Sequence, residues 1–125
     1  MQVKELFLNT NDGTTLYAQE WRPEAKAKGV VCVLHGLGEH GGQYAEVAEA
    51  LLHQDIALLA IDLRGHGRSA GRRGHAPSYG SLLDDVDTLL NGTAESYPGA
   101  RRILYGHSLG GNVVINYALR RQPDI

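Results

Sequence analysis

Five residues, Gly106-His107-Ser108-Leu109-Gly110, follow the apolar run Ile103-Leu104-Tyr105 and open a stretch of helical character that begins at Leu109. A strand must therefore become a helix within two or three residues. Only a sharp turn achieves that, and the two glycines lack the Cβ atoms that would clash in it. Such a turn lifts the hydroxyl of Ser108 to the carboxyl end of a sheet, which makes Ser108 a candidate nucleophile. The same geometry predicts φ > 0 at Ser108, a strained choice for a residue with a side chain that costs about 1–3 kcal/mol. A strand, a tight turn and a helix folding back define an α/β architecture.

A serine hydroxyl is a poor nucleophile until a base takes its proton and donors hold the oxyanion that forms. Val30-Val31-Cys32-Val33-Leu34 reads as a buried parallel strand and ends in His35-Gly36-Leu37-Gly38, a loop able to aim a backbone N–H at the reacting carbon. The amides of Leu37 and Leu109 are the candidate oxyanion donors. Leu109 begins a helix, where early amides have no intrahelical acceptor.

Along the chain, Leu6-Phe7-Leu8 and Leu16 to Trp21 flank Asn11-Asp12-Gly13 and predict an antiparallel hairpin. After the spacer Arg22 to Lys28 and the strand at Val30, residues Tyr44, Val47, Ala48, Leu51 and Leu52 recur at helical spacing, with the helix starting near Gln43. Ile56 to Ile61 is a further strand. The stretch Asp62 to Pro77, rich in glycine and arginine, is a loop. Tyr79, Leu82, Leu83, Val86, Leu89, Leu90, Ala94 and Tyr97 form one stripe of a long helix capped near Ser78 and ended by Tyr97-Pro98-Gly99, with Gly92 a weak point inside it. A fifth strand spans Arg102 to Tyr105. The last helix, Leu109 to Arg121, is apolar around most of its circumference and should be covered on several sides.

The 125 residues, 42% hydrophobic and 21% charged, suffice for one modest core. A net charge of −2 lacks the basic excess of a surface that tracks phosphates, which argues against a nucleic-acid partner. Arg64, Arg68, Arg72 and Arg73 cluster, and the simplest role for them is pairing with nearby carboxylates to brace the loop after Asp62. Met1-Gln2-Val3-Lys4-Glu5 has no apolar stretch of signal-peptide length and nowhere do ~18 apolar residues run together, so a soluble cytoplasmic protein is expected. The lone cysteine, Cys32, lies mid-strand and reads as a small buried hydrophobe.

His35-Gly36-Leu37-Gly38-Glu39-His40 with Tyr44, Asp62-Leu63-Arg64-Gly65-His66-Gly67-Arg68-Ser69, Arg73-Gly74-His75, Tyr97-Pro98-Gly99 and Gly106-His107-Ser108-Leu109-Gly110-Gly111 occur in order. Together they resemble the monoacylglycerol lipase and lysophospholipase branch of the α/β-hydrolases, of serine aminopeptidase S33 type. The resemblance implies a mostly parallel sheet with an N-terminal antiparallel hairpin and flanking helices. It also implies Ser108 as nucleophile, the Leu37 and Leu109 amides as the oxyanion hole, and a small lipid ester as substrate. No cofactor and no metal are implied, and contact with a membrane surface is compatible with such a substrate.

Members of that branch are roughly twice this length and place the acid and the histidine of the triad after later strands, in the order Ser, Asp, His. On that reading residues 1–125 are an incomplete domain of five strands and three helices, without the triad acid and base or the substrate cap. The chain alone is then expected to be inactive. Its fifth strand would be an open sheet edge inviting self-association.

Two other readings use the same residues. Gly36-Leu37-Gly38-Glu39-His40-Gly41 is a literal G-x-G-x-x-G after a strand, with Asp62 at the end of the next, as in a dinucleotide-binding oxidoreductase. Against it, Gly41-Gly42 delay the helix whose N-terminus should face the pyrophosphate. His35, Glu39 and His40 as metal ligands would need one helical face, which the glycines here disfavour. A non-catalytic binding protein on the same fold is a third alternative. Among His66, His75 and His107, none is placed by the sequence as the base.

Overall fold

The computed structural model describes residues 2–125. The chain begins with β1 (Gln2–Asn9) and β2 (Thr15–Arg22), paired antiparallel from Gln2 opposite Arg22 to Asn9 opposite Thr15. Asp12 organises the turn between them. Its Oδ1 accepts from Thr10 Oγ1 at 2.6 Å and from the Thr14 amide at 3.1 Å, and Gly13 supplies the left-handed residue at φ 84°.

Three apolar runs become β3 (Gly29–Leu34), β4 (Ile56–Ile61) and β5 (Arg101–Gly106). The sheet order is β1-β2-β4-β3-β5, with β2 and β4 antiparallel and β3 parallel to both of its neighbours. Register aligns Leu34 with Ile61 on one side and with Gly106 on the other. His35, Asp62 and His107, the residues that follow, therefore all start their loops at one rim, the carboxyl end of the parallel strands where ligands bind in sheets of this kind.

Alternation along the strands divides the core in two. Leu16, Ala18, Val30, Cys32, Leu34, Ala57, Leu59 and Ile61 face α2 (Tyr79–Ser96) and α3 (Leu109–Arg121), meeting Leu83, Val86, Leu89, Val113 and Tyr117. Val33, Leu58, Ala60 and Trp21 face the opposite way, toward Ala48, Leu51 and Leu52 of α1 (Ala45–Leu52). Cys32 is fully buried in β3, and burial pushes its thiol up to about 11, which suits a packing role. Ser78 caps α2 by accepting from the Ser81 amide at 3.1 Å.

Two expectations need correction. The first crossover helix does not start at Gln43: a 3₁₀ turn spans Gly41–Tyr44 and α1 begins at Ala45. The Gly41 amide is drawn 2.7 Å from Asp62 Oδ1, and a Cβ on Gly41 would stand 2.9 Å from that of Ala60, so the backbone is pressed onto the sheet before a full helical turn can open. The last helix is covered on one face only. Gly110, Val113 and Tyr117 are buried, but Ile115 and Leu119 are 62% and 73% exposed. The reason lies in the sheet order, where β5 is the terminal strand among the described residues; on the opposite face of β5, the one turned toward α1, Ile103 and Tyr105 are likewise left about half exposed.

Candidate active site

Gly106 ends β5, and a Cβ there would lie 2.3 Å from the carbonyl oxygen of Gly110. A Cβ on Gly110 would lie 2.2 Å from the carbonyl oxygen of Leu34. No real side chain fits either gap, so strand and helix can approach this closely only with glycine at both positions. Between them Ser108 adopts φ 56°, ψ −112° at the head of α3 and is exposed. Its hydroxyl makes no capping bond to the helix. The Leu109 amide is the first of α3 and has no acceptor within the helix.

The loop after β3 abuts this turn. The His107 amide donates to Leu34 O at 3.1 Å, and a Cβ on Gly36 would stand 3.2 Å from both His107 O and His107 Nδ1. Leu37 follows Gly36 and is 68% exposed. The structure thus brings Leu37, Ser108 and Leu109 to one rim, on two neighbouring loops.

The histidines have other partners. His35 is buried, with Nδ1 2.7 Å from its neighbour's carbonyl, Gly36 O, and Nε2 accepting the Leu63 amide at 2.9 Å. That arrangement requires the neutral ring protonated at Nδ1, and burial indeed lowers its pKa. With both nitrogens engaged, His35 has no free lone pair for a metal. The His66 ring lies 5.1 Å from that of His35, its Nδ1 3.1 Å from Arg64 O. His107 turns its Nδ1 toward Glu39 Oε1 at 3.3 Å rather than toward Ser108. His75 and His40 are exposed loop residues.

Asp62 is a brace. Oδ1 takes the Gly41 amide and Oδ2 takes the Arg68 amide at 3.0 Å, while Ser69 Oγ donates to the Asp62 carbonyl at 2.5 Å. It is 3% exposed, so the carboxylate that a dinucleotide ribose would need is already occupied by backbone. The arginines brace the same loop, though not uniformly. Arg64 pairs with carboxylates as expected, but from a buried position: it meets the fully buried Asp85 in two prongs and reaches Asp12 at 2.7 Å. Burial pushes the Asp85 carboxyl up while Arg64 opposes it, and Arg64 holds Asp12 well below the usual carboxylate range. Arg68 pairs with Glu5 at 2.9 Å, whereas Arg73 donates to backbone carbonyls of Gly67, Ser69 and Gly71.

Residues 25–125 match the family model described as serine aminopeptidase, S33. The chain belongs to that family. Similar proteins include a monoacylglycerol lipase of Mycolicibacterium smegmatis, 37% identical over 108 residues, covering 86% of this chain and 39% of that protein. A monoglyceride lipase of Homo sapiens is 36% identical over 110 residues, covering 88% of this chain and 36% of its own length. A carboxyl esterase of Bacillus coagulans, solved with glycerol, superposes with a TM-score of 0.85 at 28% identity over 98% of this chain and 41% of that one. The fold is that of part of an α/β-hydrolase, and the chain spans well under half the length of these relatives. No helix among the described residues is long and apolar enough to cross a membrane.

Sequence reasoning weighed Glu39 only as a metal ligand and missed the role the structure gives it: it accepts the Gly36 amide at 2.7 Å and faces His107. Its one visible signal was its place three residues after Gly36, the spacing at which a side chain reaches back to a free amide.

Proposed function

We propose that the protein carrying this chain is a serine hydrolase of carboxylic esters, acting on monoacylglycerol, lysophospholipid or a similar single-chain ester. The observation that carries the reading is Ser108 itself: a non-glycine residue at φ 56° between two obligatory glycines, exposed, uncommitted to helix capping and at the carboxyl end of β5. Its Oγ attacks the ester carbonyl carbon and its proton passes to a base. The carbonyl oxygen becomes an oxyanion facing the Leu37 and Leu109 amides, the alcohol leaves protonated, and water releases the acyl group from the serine. The names of the lipase and esterase relatives support the ester class.

On this reading the chain supplies nucleophile and donors, and among the described residues no histidine is hydrogen-bonded to Ser108, so the chain alone turns over esters only at a trace rate. A hole and binding without the full triad retain ~10³–10⁴-fold over water. A fluorophosphonate probe should label the chain slowly, with the adduct on Ser108 and absent from Ser108→Ala. An adduct mapping elsewhere, or equal labelling of the variant, would leave the non-catalytic binding reading in its place. Burst kinetics on a p-nitrophenyl ester that vanish in Ser108→Ala would instead show that a base is present within the chain.

A further inference from the structure

Leu37 can donate to an oxyanion only if its N–H points at the reacting atom, and that direction belongs to a whole peptide plane. In a trans peptide the N–H of Leu37 and the C=O of Gly36 point in opposite directions, so holding one fixes the other. The Gly36 carbonyl accepts the Glu39 amide at 3.1 Å and lies 2.7 Å from His35 Nδ1. One peptide earlier, the Gly36 amide donates to Glu39 Oε1 at 2.7 Å. Glu39 therefore grips Gly36 from both of its peptide groups.

The same carboxylate oxygen reaches across to the other loop, 3.3 Å from Nδ1 of His107, the residue before Ser108. Nothing in the local sequence joins these two loops, which are 68 residues apart. We infer that Glu39 is a positioning residue that clasps the loop bearing the Leu37 amide to the turn bearing Ser108, and so sets the direction of the oxyanion donor. The inference rests on the proposed roles of Ser108 and Leu37.

The ionised form is the one that accepts both bonds. The Gly36 amide, first, and His107 hold the Glu39 carboxyl below its ordinary value against a partial cost of burial. The other titratable groups facing it are His35 at the end of β3 and Tyr44 in the turn before α1. A lowered carboxylate pKa means the clasp is in place above about pH 4.5 and is released only as acid protonates Glu39 below that value.

The test is amide NMR of the 125-residue chain with Glu39→Gln and Glu39→Ala. In the unaltered chain the Gly36 and Leu37 amide shifts should follow one titration with its midpoint below 4.5. In E39Q that titration should vanish while resonances of α2 and the hairpin stay in place. E39A should exchange the Gly36 amide about tenfold faster or more, the size expected for losing a charge-assisted bond. A Gly36 and Leu37 titration that persists in E39Q, or unchanged Gly36 exchange in E39A, overturns the inference; if E39A does not fold, E39Q decides. Ser108 labelling is read separately: an intact clasp without labelling sinks the hydrolase proposal alone, and labelling without a titration sinks the clasp alone.

Discussion

Gly110 faces Leu34 across a gap in which a side-chain carbon would come within 2.2 Å of the Leu34 carbonyl oxygen. Backbone offers no room to yield there, unlike the end of a flexible side chain. Gly110→Ala should therefore push α3 off β3, lowering stability by about 1–3 kcal/mol as overpacking does. Thermal melting checks the first effect. The Ser108 and Leu109 amide shifts should move in the same variant, and an unshifted elbow with an unchanged melting temperature would contradict the close approach.

Gly92 leads to the opposite expectation. It sits inside α2, and a Cβ there would meet Leu8 at 3.6–3.7 Å and Leu59 at 4.0 Å, which is ordinary contact. Gly92→Ala should stabilise the chain by about 0.5–1 kcal/mol, by restricting the unfolded chain and by improving helix propensity. Urea denaturation reads this directly as a higher midpoint with an unchanged slope.

His35 should make stability depend on pH. Its folded pKa lies below the ordinary histidine value because of burial, and its Nε2 must stay unprotonated to accept the Leu63 amide. The unfolded chain then binds a proton that the folded chain refuses, so stability is full above about pH 6.5 and declines as pH falls from there. Urea midpoints at pH 7 and pH 5 should differ less in His35→Gln than in the unaltered chain. An equal difference in both would assign the acid sensitivity elsewhere.

The open edge at β5 predicts association. Ile103 and Tyr105 on the α1 face of the terminal strand, and Ile115 and Leu119 on α3 across the sheet, are all exposed, so apolar residues lie on both sides of an edge with unpaired strand amides. Sedimentation of the isolated chain should show dimers or larger species, and Ile103→Lys should reduce them. A monomer that melts in one cooperative step would defeat this expectation.

Local signals account for what the sequence disclosed. Asn11-Asp12-Gly13 between two apolar runs marks the hairpin, continuous apolar runs mark β3 and β4, and the bounds of α3 follow from the turn at Ser108. Long-range partners left no trace in any single segment. Arg64 meets Asp85 and Asp12 at separations of 21 and 52 residues, and Glu39 meets His107 across 68, so their roles emerge only when the sheet order brings the loops together. The exposure of α3 escaped for a related reason: an apolar circumference states what a helix could bury, whereas the terminal position of β5 decides what it does bury.

The turn at Ser108 is a mounting whose shape owes nothing to what it carries. Gly106 and Gly110 enforce the bend through backbone contacts alone, and the serine side chain takes no part in holding it. A different short side chain at that position would be delivered to the same point in space. Ser108→Cys should accordingly present a thiol there, offering an attachment point for a label or a synthetic catalyst on an unaltered scaffold.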